Sequence, residues 1–365
     1  MKYYIQEKNH KFAYLQLYEQ LKKDIVGGVL MYGVKMPSKR MLAEETGVSV
    51  ITVEHTYSIL CEEGYIEAKE RSGYYVIYRE DDFISSPELM QNVVVHRKKS
   101  EKVKHQFPFS VLAKVMRKVL NDYEEEILTK APNSGCEELR EAICNYLIRS
   151  NGIHVKSEQI IIGSGAEYLY SLIAQLLGSD NIFALENPSY EKIRQVYEAN
   201  RVDYDLLELG QNGIKSAELQ RTAATVLHIT PFNSYPSGVT ASVSKRYEYI
   251  RWAEKRNGYI IEDNYDSELT VSKKNEDTVY SLAGKGNVIY LNTFSETIAP
   301  SMRIGYMVLP EKLAEIFYEK LGFYSCTVPV FDQYVLTDLL NSGDFERHIN
   351  RVRRQKRKDK KNLVI

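Results

Sequence analysis

Ile160-Ile161-Ile162 runs into Gly163-Ser164-Gly165 and then into AEYLYSLIAQLL. A strand, a glycine turn and a helix start in that order can cup a phosphate, because free backbone N–H groups and the helix dipole both face the anion. Glycine in such turns also serves plain packing, and that reading stays open. Ser295 and Arg303 stand eight residues apart, a hydroxyl and a guanidinium able to clasp one phosphate. A surface ion pair is the alternative for Arg303. Asp263 and Tyr265 follow the apolar YII and set a carboxylate and a phenol side by side, while Tyr190, in ENPSY, sets an aromatic ring after another apolar run. Helix capping would equally account for Asp263, and core filling for Tyr190.

The elements that must hold these groups follow from hydrophobic patterning. From about Phe107 onward, helical patterns alternate with IIIGSG, NIFALE, TVLHIT, YIIED, NVIYLN and GYMVL. Short apolar runs separated by helices predict buried, mostly parallel strands covered on both faces. Ligands of such sheets sit beyond the carboxyl ends of the strands. The polar residues above all fall just after predicted strands, as does Thr230-Pro231-Phe232-Asn233-Ser234-Tyr235-Pro236-Ser237-Gly238.

A second device lies upstream, in PSKRMLAEETGVSVITVEHTYSILCEEGYI. Ser38 is a suitable N-cap. Met41, Leu42 and Ala43 are expected on the buried side of a short helix that Gly47 closes in the left-handed region. Ser49 then caps a second helix with Val53, Tyr57 and Leu60 on one face. Helices joined by so tight a turn lay the second across a DNA major groove. An amphipathic helix precedes them, roughly Tyr14 to Val26, with Leu17, Leu21 and Ile25 on its apolar stripe. Tyr65–Ala68 and Tyr74–Ile77 read as two strands around the turn Lys69-Glu70-Arg71-Ser72-Gly73.

Composition narrows the classes. Lys and Arg number 48 against 49 Asp and Glu, a net charge of -1, so a DNA contact must come from a local patch, doubled in a dimer that reads two half-sites. No run of about 18 apolar residues predicts a membrane span, and MKYYIQEKNH lacks the apolar core of a signal peptide. Cys61, Cys136, Cys144 and Cys326 show no metal-ligand spacing and read as reduced thiols. A cytoplasmic protein without a metal is therefore expected. Residues 81–106, which include Arg97-Lys98-Lys99, mix charge and serine and read as a linker.

The order helix, helix, helix, hairpin, with PSKR, LAEETGVS, TV, EEGYI and GYYV, resembles the winged helix of GntR-type regulators over about the first 80 residues. The later set, in its order, resembles the aminotransferase-like domain of fold type I, which binds pyridoxal 5′-phosphate. From about Leu15 to Lys361 the chain is similar to GntR/MocR-family transcriptional regulators. The fold this implies is α/β: a winged helix-turn-helix (1–80), the linker (81–106) and a three-layer α/β/α domain (107–365). That domain would be shortened, without the C-terminal small lobe.

The resemblance further implies that Ser38, Lys39, Arg40, Ser49, Thr52 and His55, with Arg71 and Gly73 of the wing, touch DNA. Val50 stands where many relatives carry an arginine, which puts more of the backbone contact on the others. Tyr190 would stack on the cofactor ring, Asp263 would pair with the ring nitrogen, and Tyr265 would approach the phenolic oxygen. Ser164, Gly165, Ser295 and Arg303 would hold the phosphate. One position departs from the pattern: the family reads Ser-Lys-Thr where this chain reads Ser295-Glu296-Thr297. The lysine amine is the covalent attachment point, and a carboxylate cannot replace it. At ~4 Å and an effective dielectric of ~20, one charge pair is worth ~4 kcal/mol, so the swap favours an ammonium near the 4′ carbon. The chain is thus expected to be a non-enzymatic, dimeric regulator of a double-stranded operator. Its effector is expected to be small, with pyridoxal or pyridoxamine 5′-phosphate bound without a covalent link. A decayed pocket and a working aminotransferase with a DNA-binding appendage are the alternatives.

Overall fold

The computed structural model describes residues 3–5, 11–79, 107–265, 267–270, 276–284 and 286–362. The chain divides into two compact units, 1–100 and 101–365. The expected linker at 81–106 lies outside the described residues.

In the first unit, α1 (Ala13–Val26), α2 (Lys39–Thr46) and α3 (Val50–Glu62) precede the antiparallel strands β1 (Ile66–Lys69) and β2 (Gly73–Val76). Local chemistry sets the helix limits. The Ser38 side chain accepts from the Met41 N–H, Gly47 ends α2 at φ 73°, and the Ser49 side chain accepts from the Thr52 N–H. Leu17, Leu21 and Ile25 of α1 meet Leu42, Val53, Tyr57 and Leu60 in one core, which Ile66 and Val76 close from the hairpin. The buried Tyr57 hydroxyl donates to the Pro37 carbonyl at 2.9 Å, tying α3 to the start of α2. Met41 departs from expectation: it is 55% exposed. An eight-residue helix has room for few inward positions, and Leu42 and Ala43 occupy them.

The second unit is built on an eight-stranded sheet. Its strands are β3 (Ile160–Gly163), β4 (Phe183–Asn187), β5 (Tyr204–Gly210), β6 (Gly213–Ile214), β7 (Val226–Ile229), β8 (Tyr259–Asp263), β9 (Val288–Thr293) and β10 (Gly305–Val308), in spatial order 3-10-9-8-7-4-5-6. The run β9-β8-β7-β4-β5 is parallel, and β10 is antiparallel to both β3 and β9. Helices cover both faces, which is why the strands read as unbroken apolar runs. Ile161, Ile261 and Met307 pack with helices Ala166–Leu177 and Glu311–Leu321. Their neighbours Ile160, Ile162, Tyr306 and Val308 face the other way, toward helices Glu137–Asn151 and Val330–Asn341.

Register places the polar groups. Gly305 pairs with Gly163 on one side and with Thr293 on the other. The start of β10 therefore lies at the same sheet edge as the ends of β3 and β9. Arg303, two residues before β10, is delivered beside Gly165 and the turn that carries Ser295.

Candidate functional site

The helix-turn-helix presents a polar, exposed edge. Ser38, Arg40, Ser49, His55 and Arg71 are exposed, and Lys39, Thr52 and Gly73 are half-buried. Lys39 pairs with Glu54 of α3 at 2.5 Å, and its ammonium lies 5.9 Å from the Tyr74 ring centre. The His55 ring stacks on Tyr14 at 4.2 Å. Arg71 turns the hairpin at φ 59°. Val50 is 42% exposed at the start of α3. Sequence reasoning passed over Lys35, which lies under Gly73 and bridges to Tyr75. No pattern flags it, because it belongs to neither helix nor hairpin.

In the large unit two of the expected phosphate residues, Gly165 and Arg303, meet. Gly165 takes φ 102° and ψ 176° at the N-cap of helix Ala166–Leu177, a region open essentially to glycine alone. A Cβ there would stand 2.6 Å from Nη2 of Arg303. The same nitrogen donates to Glu167 at 2.6 Å, and the other Glu167 oxygen accepts from Lys192 at 2.9 Å. Burial alone would raise the Glu167 carboxyl. Bonds from Lys192, from its own backbone and from Arg303 outweigh burial and hold it down at about 2. Two N–H groups expected to face an anion are engaged inside the protein instead: Ser164 donates to the Thr327 hydroxyl, and Gly165 to the Gly163 carbonyl. The Ser295 hydroxyl reaches the Met302 carbonyl at 3.4 Å. Sequence reading missed Glu167 and Lys192, since an acid in a helix's first turn and a lysine after an aromatic are ordinary surface residues.

Asp263 ends β8, is only 2% exposed, and is held from three sides. The buried Tyr170 phenol donates to Oδ2, the Tyr265 N–H donates to Oδ1 at 3.2 Å, and His228 Nε2 lies 3.8 Å from Oδ2. Tyr197 holds the far side of that ring, its hydroxyl 2.7 Å from Nδ1. Burial first, and then the Asp263 charge, raise the Tyr170 phenol well above its ordinary range, so it stays protonated and donates. The Tyr265 hydroxyl donates to the Asn233 carbonyl at 3.1 Å. Tyr190 caps helix Glu191–Ala199 with its ring 36% exposed, edge-on to Tyr235 at 6.3 Å. The Lys192 ammonium sits 5.8 Å from its centre. Glu296 is exposed in the turn after β9.

Among the described residues no group of three His, Cys, Asp or Glu side chains is arranged to hold a metal, and no helix is long and apolar enough to cross a membrane. All four cysteines are free thiols, raised above their ordinary value chiefly by burial. A cavity of about 190 Å³ lined by Tyr146, Glu268, Glu346 and Arg353 lies among helices Glu137–Asn151 and Asp344–Asn362, with none of the phosphate residues in its wall.

The model of the bacterial regulatory proteins of the gntR family matches residues 13–76, and that of aminotransferases class I and II matches 104–364. The HTH-type transcriptional regulator YdeL of Bacillus subtilis is 32% identical over 96% of this chain and 78% of its own length. MocR of Rhizobium meliloti, a probable rhizopine catabolism regulatory protein, is 28% identical over 93% and 74%. PdxR of Corynebacterium glutamicum, a pyridoxine biosynthesis transcriptional regulator, is 26% identical over 93% and 75%. Among solved structures, kynurenine aminotransferase of Pyrococcus horikoshii in complex with PMP superposes with TM-score 0.62 at 28% identity, covering 68% of this chain. The chain spans 64% of that enzyme's length. A winged helix joined to a fold type I body defines a class of transcriptional regulator. The chain belongs to the HTH-type transcriptional regulators of the GntR family that carry an aminotransferase class I and II domain.

Proposed function

We propose that the protein is a dimeric, cytoplasmic regulator whose large unit binds a phosphorylated vitamin B6 compound without covalent attachment and without catalysis. The observation that carries this reading is Glu296, an exposed carboxylate where the family pattern has its lysine, in a chain that keeps Arg303 packed against Gly165 and a buried carboxylate at Asp263. The residues fit the group in two respects. Gly165 gives up its Cβ to admit the Arg303 guanidinium at the cup. Asp263 keeps its carboxylate oriented by Tyr170 and Tyr265, as a partner for a protonated ring nitrogen must be.

In this reading Arg303 and the hydroxyls of Ser164 and Ser295 hold the phosphate, with Gly165 admitting the guanidinium by its missing Cβ rather than by its engaged N–H; Tyr190 covers the ring and Tyr265 lies near its phenolic oxygen. Asp263 stabilises the proton on the ring nitrogen. Bound vitamin B6 brings an electron-withdrawing ring, and this chain has no amine at Glu296 to couple to it. The names of two relatives support the ligand class: one regulates pyridoxine biosynthesis, and the solved aminotransferase holds PMP. DNA is gripped by Lys39, Arg40, Thr52 and His55, with Arg71 and Gly73 of the wing, while Ser38 and Ser49 fix the helix starts and add backbone donors. Two wings on a dimer supply the affinity that a net charge of -1 withholds.

Calorimetry with pyridoxamine 5′-phosphate and pyridoxal 5′-phosphate tests the ligand. The amine form is expected to bind more tightly, because its ammonium faces Glu296. Equal or reversed affinities reject that preference, and transamination of a keto acid by the purified protein rejects the reading as a whole.

A further inference from the structure

We propose that Glu167 is an internal anion seated on the phosphate cations, so that a phosphate monoester enters the cup only as the carboxylate releases Arg303 and Lys192. The inference rests on the anion site proposed above and assigns it two further residues, a competitor and a second cation.

One carboxylate already holds both cations. Glu167 lies in the first turn of helix Ala166–Leu177, the end of a helix that favours negative charge. One of its oxygens takes Arg303 at 2.6 Å and the other takes Lys192 at 2.9 Å. The Arg303 nitrogen it holds is also the one packed against Gly165. Lys192 comes from the first turn of helix Glu191–Ala199, two residues after Tyr190, with its ammonium beside that ring. Phosphate and ring contacts therefore share a cation that family roles do not name.

Charge decides between coexistence and exchange. Two cations and one carboxylate leave the cup with one positive charge. A phosphate dianion added beside Glu167 would turn that into a net negative charge packed at hydrogen-bond distances. A dianion that replaces Glu167 is neutralised by the two cations. Exchange is also feasible mechanically, because the Arg303 and Lys192 side chains are about half exposed and Glu167 is about a quarter exposed. Water can take up the displaced carboxylate at little cost. The cup thus selects doubly charged phosphate esters over singly charged carboxylates, which gain nothing over the residue already there.

Three probes on the full chain test this: pyridoxal 5′-phosphate, unphosphorylated pyridoxal and inorganic phosphate, each titrated against the parent, Glu167→Gln and Lys192→Met, with thermal melting to verify folding. Glu167→Gln is expected to bind both phosphorylated probes about fivefold to tenfold more tightly and pyridoxal unchanged. Lys192→Met, at an exposed position, is expected to weaken both phosphorylated probes by a similar factor. Tighter inorganic phosphate in Glu167→Gln, with no vitamer bound by any form, sustains the competition and removes the vitamin B6 reading. Unchanged, weaker or undetectable phosphate binding in a folded Glu167→Gln overturns the competition. A weaker result would mean that Glu167 only orients Arg303.

Discussion

The guanidinium of Arg303 stands 2.6 Å from the point where a Cβ on Gly165 would lie. Two residues 138 positions apart thus share one van der Waals space, because β10 runs back between β3 and β9 and brings its start to their ends. Gly165→Ala is expected to cost about 1–3 kcal/mol from backbone conformation alone, and to push Arg303 out of the cup. Thermal unfolding and phosphate titration read the two effects separately. A variant with normal stability and normal phosphate affinity would refute the contact.

Val50 bears on DNA affinity. It is exposed at the start of α3, where an added guanidinium can reach a phosphate. Val50→Arg is expected to raise affinity for any duplex. Its log K against log salt should steepen by about 0.9, the increment for one phosphate contact. Lys39→Ala and Arg40→Ala should each flatten the slope, less so for Lys39 because Glu54 already pairs with it. Fluorescence anisotropy over a salt series measures all three.

The start of α3 depends on Ser49. Its Oγ accepts from the Thr52 N–H at 3.1 Å and lies 2.8 Å from the Thr52 hydroxyl. Ser49→Ala is expected to lower stability by about 1 kcal/mol, seen in the first unit's melting. Thr52 then loses the contact that fixes its hydroxyl. Weaker operator binding at a salt slope equal to the parent's is the accompanying signature. A flatter slope would mean that the substitution also disturbs a neighbouring cation's phosphate contact.

What could be read in the sequence was what is local. Ser38 and Ser49 start helices and Gly47 ends one through contacts three or four residues away, and all three act as their types suggest. Strand ends were legible because apolar runs stop where the sheet edge begins. The direction of β10 was not, since GYMVL is as apolar as its parallel neighbours and only pairing distinguishes them. Contacts across the sheet escaped for the same reason. Tyr170 meets Asp263 from 93 residues away, and Lys192 meets Glu167 across 25. Met41 failed for a different reason: a helix of eight residues gives periodicity little to work on.

Buried acids set the pH response. Burial raises the Glu186 carboxyl from its ordinary 4.5 to about 8, although the Ser234 hydroxyl and the Thr230 backbone pull it down. Burial likewise raises Glu262 to about 7, against backbone bonds from Tyr280 and Val279. Between about 4.5 and 8 the folded protein keeps protons that the unfolded chain has released, so stability falls as pH rises through that window. Glu167, held down, contributes stability that is lost only as pH falls from 4.5 toward about 2. Glu186→Gln is expected to flatten the fall, gaining on the parent most above pH 8 and not at all below 4.5. Urea midpoints across the pH range check this, and an unchanged decline would place the response elsewhere.

Glu296 gives the most direct chemical test. It is exposed in the turn after β9, at the sheet edge that carries Ser295 and Arg303. An amine there can condense with an aldehyde, losing one water, whereas a carboxylate has no such reaction. Glu296→Lys is therefore expected to become covalently labelled by pyridoxal 5′-phosphate and borohydride, with the tag mapped by mass spectrometry to position 296. The parent should carry no tag in that turn. The substitution also replaces an anion by a cation, so the preference for pyridoxamine 5′-phosphate should disappear in the same variant. Labelling without that change in preference would mean that residue 296 reaches the aldehyde but does not choose the effector. Neither change would mean that the turn after β9 does not face the ligand, and the non-covalent reading would lose its main support.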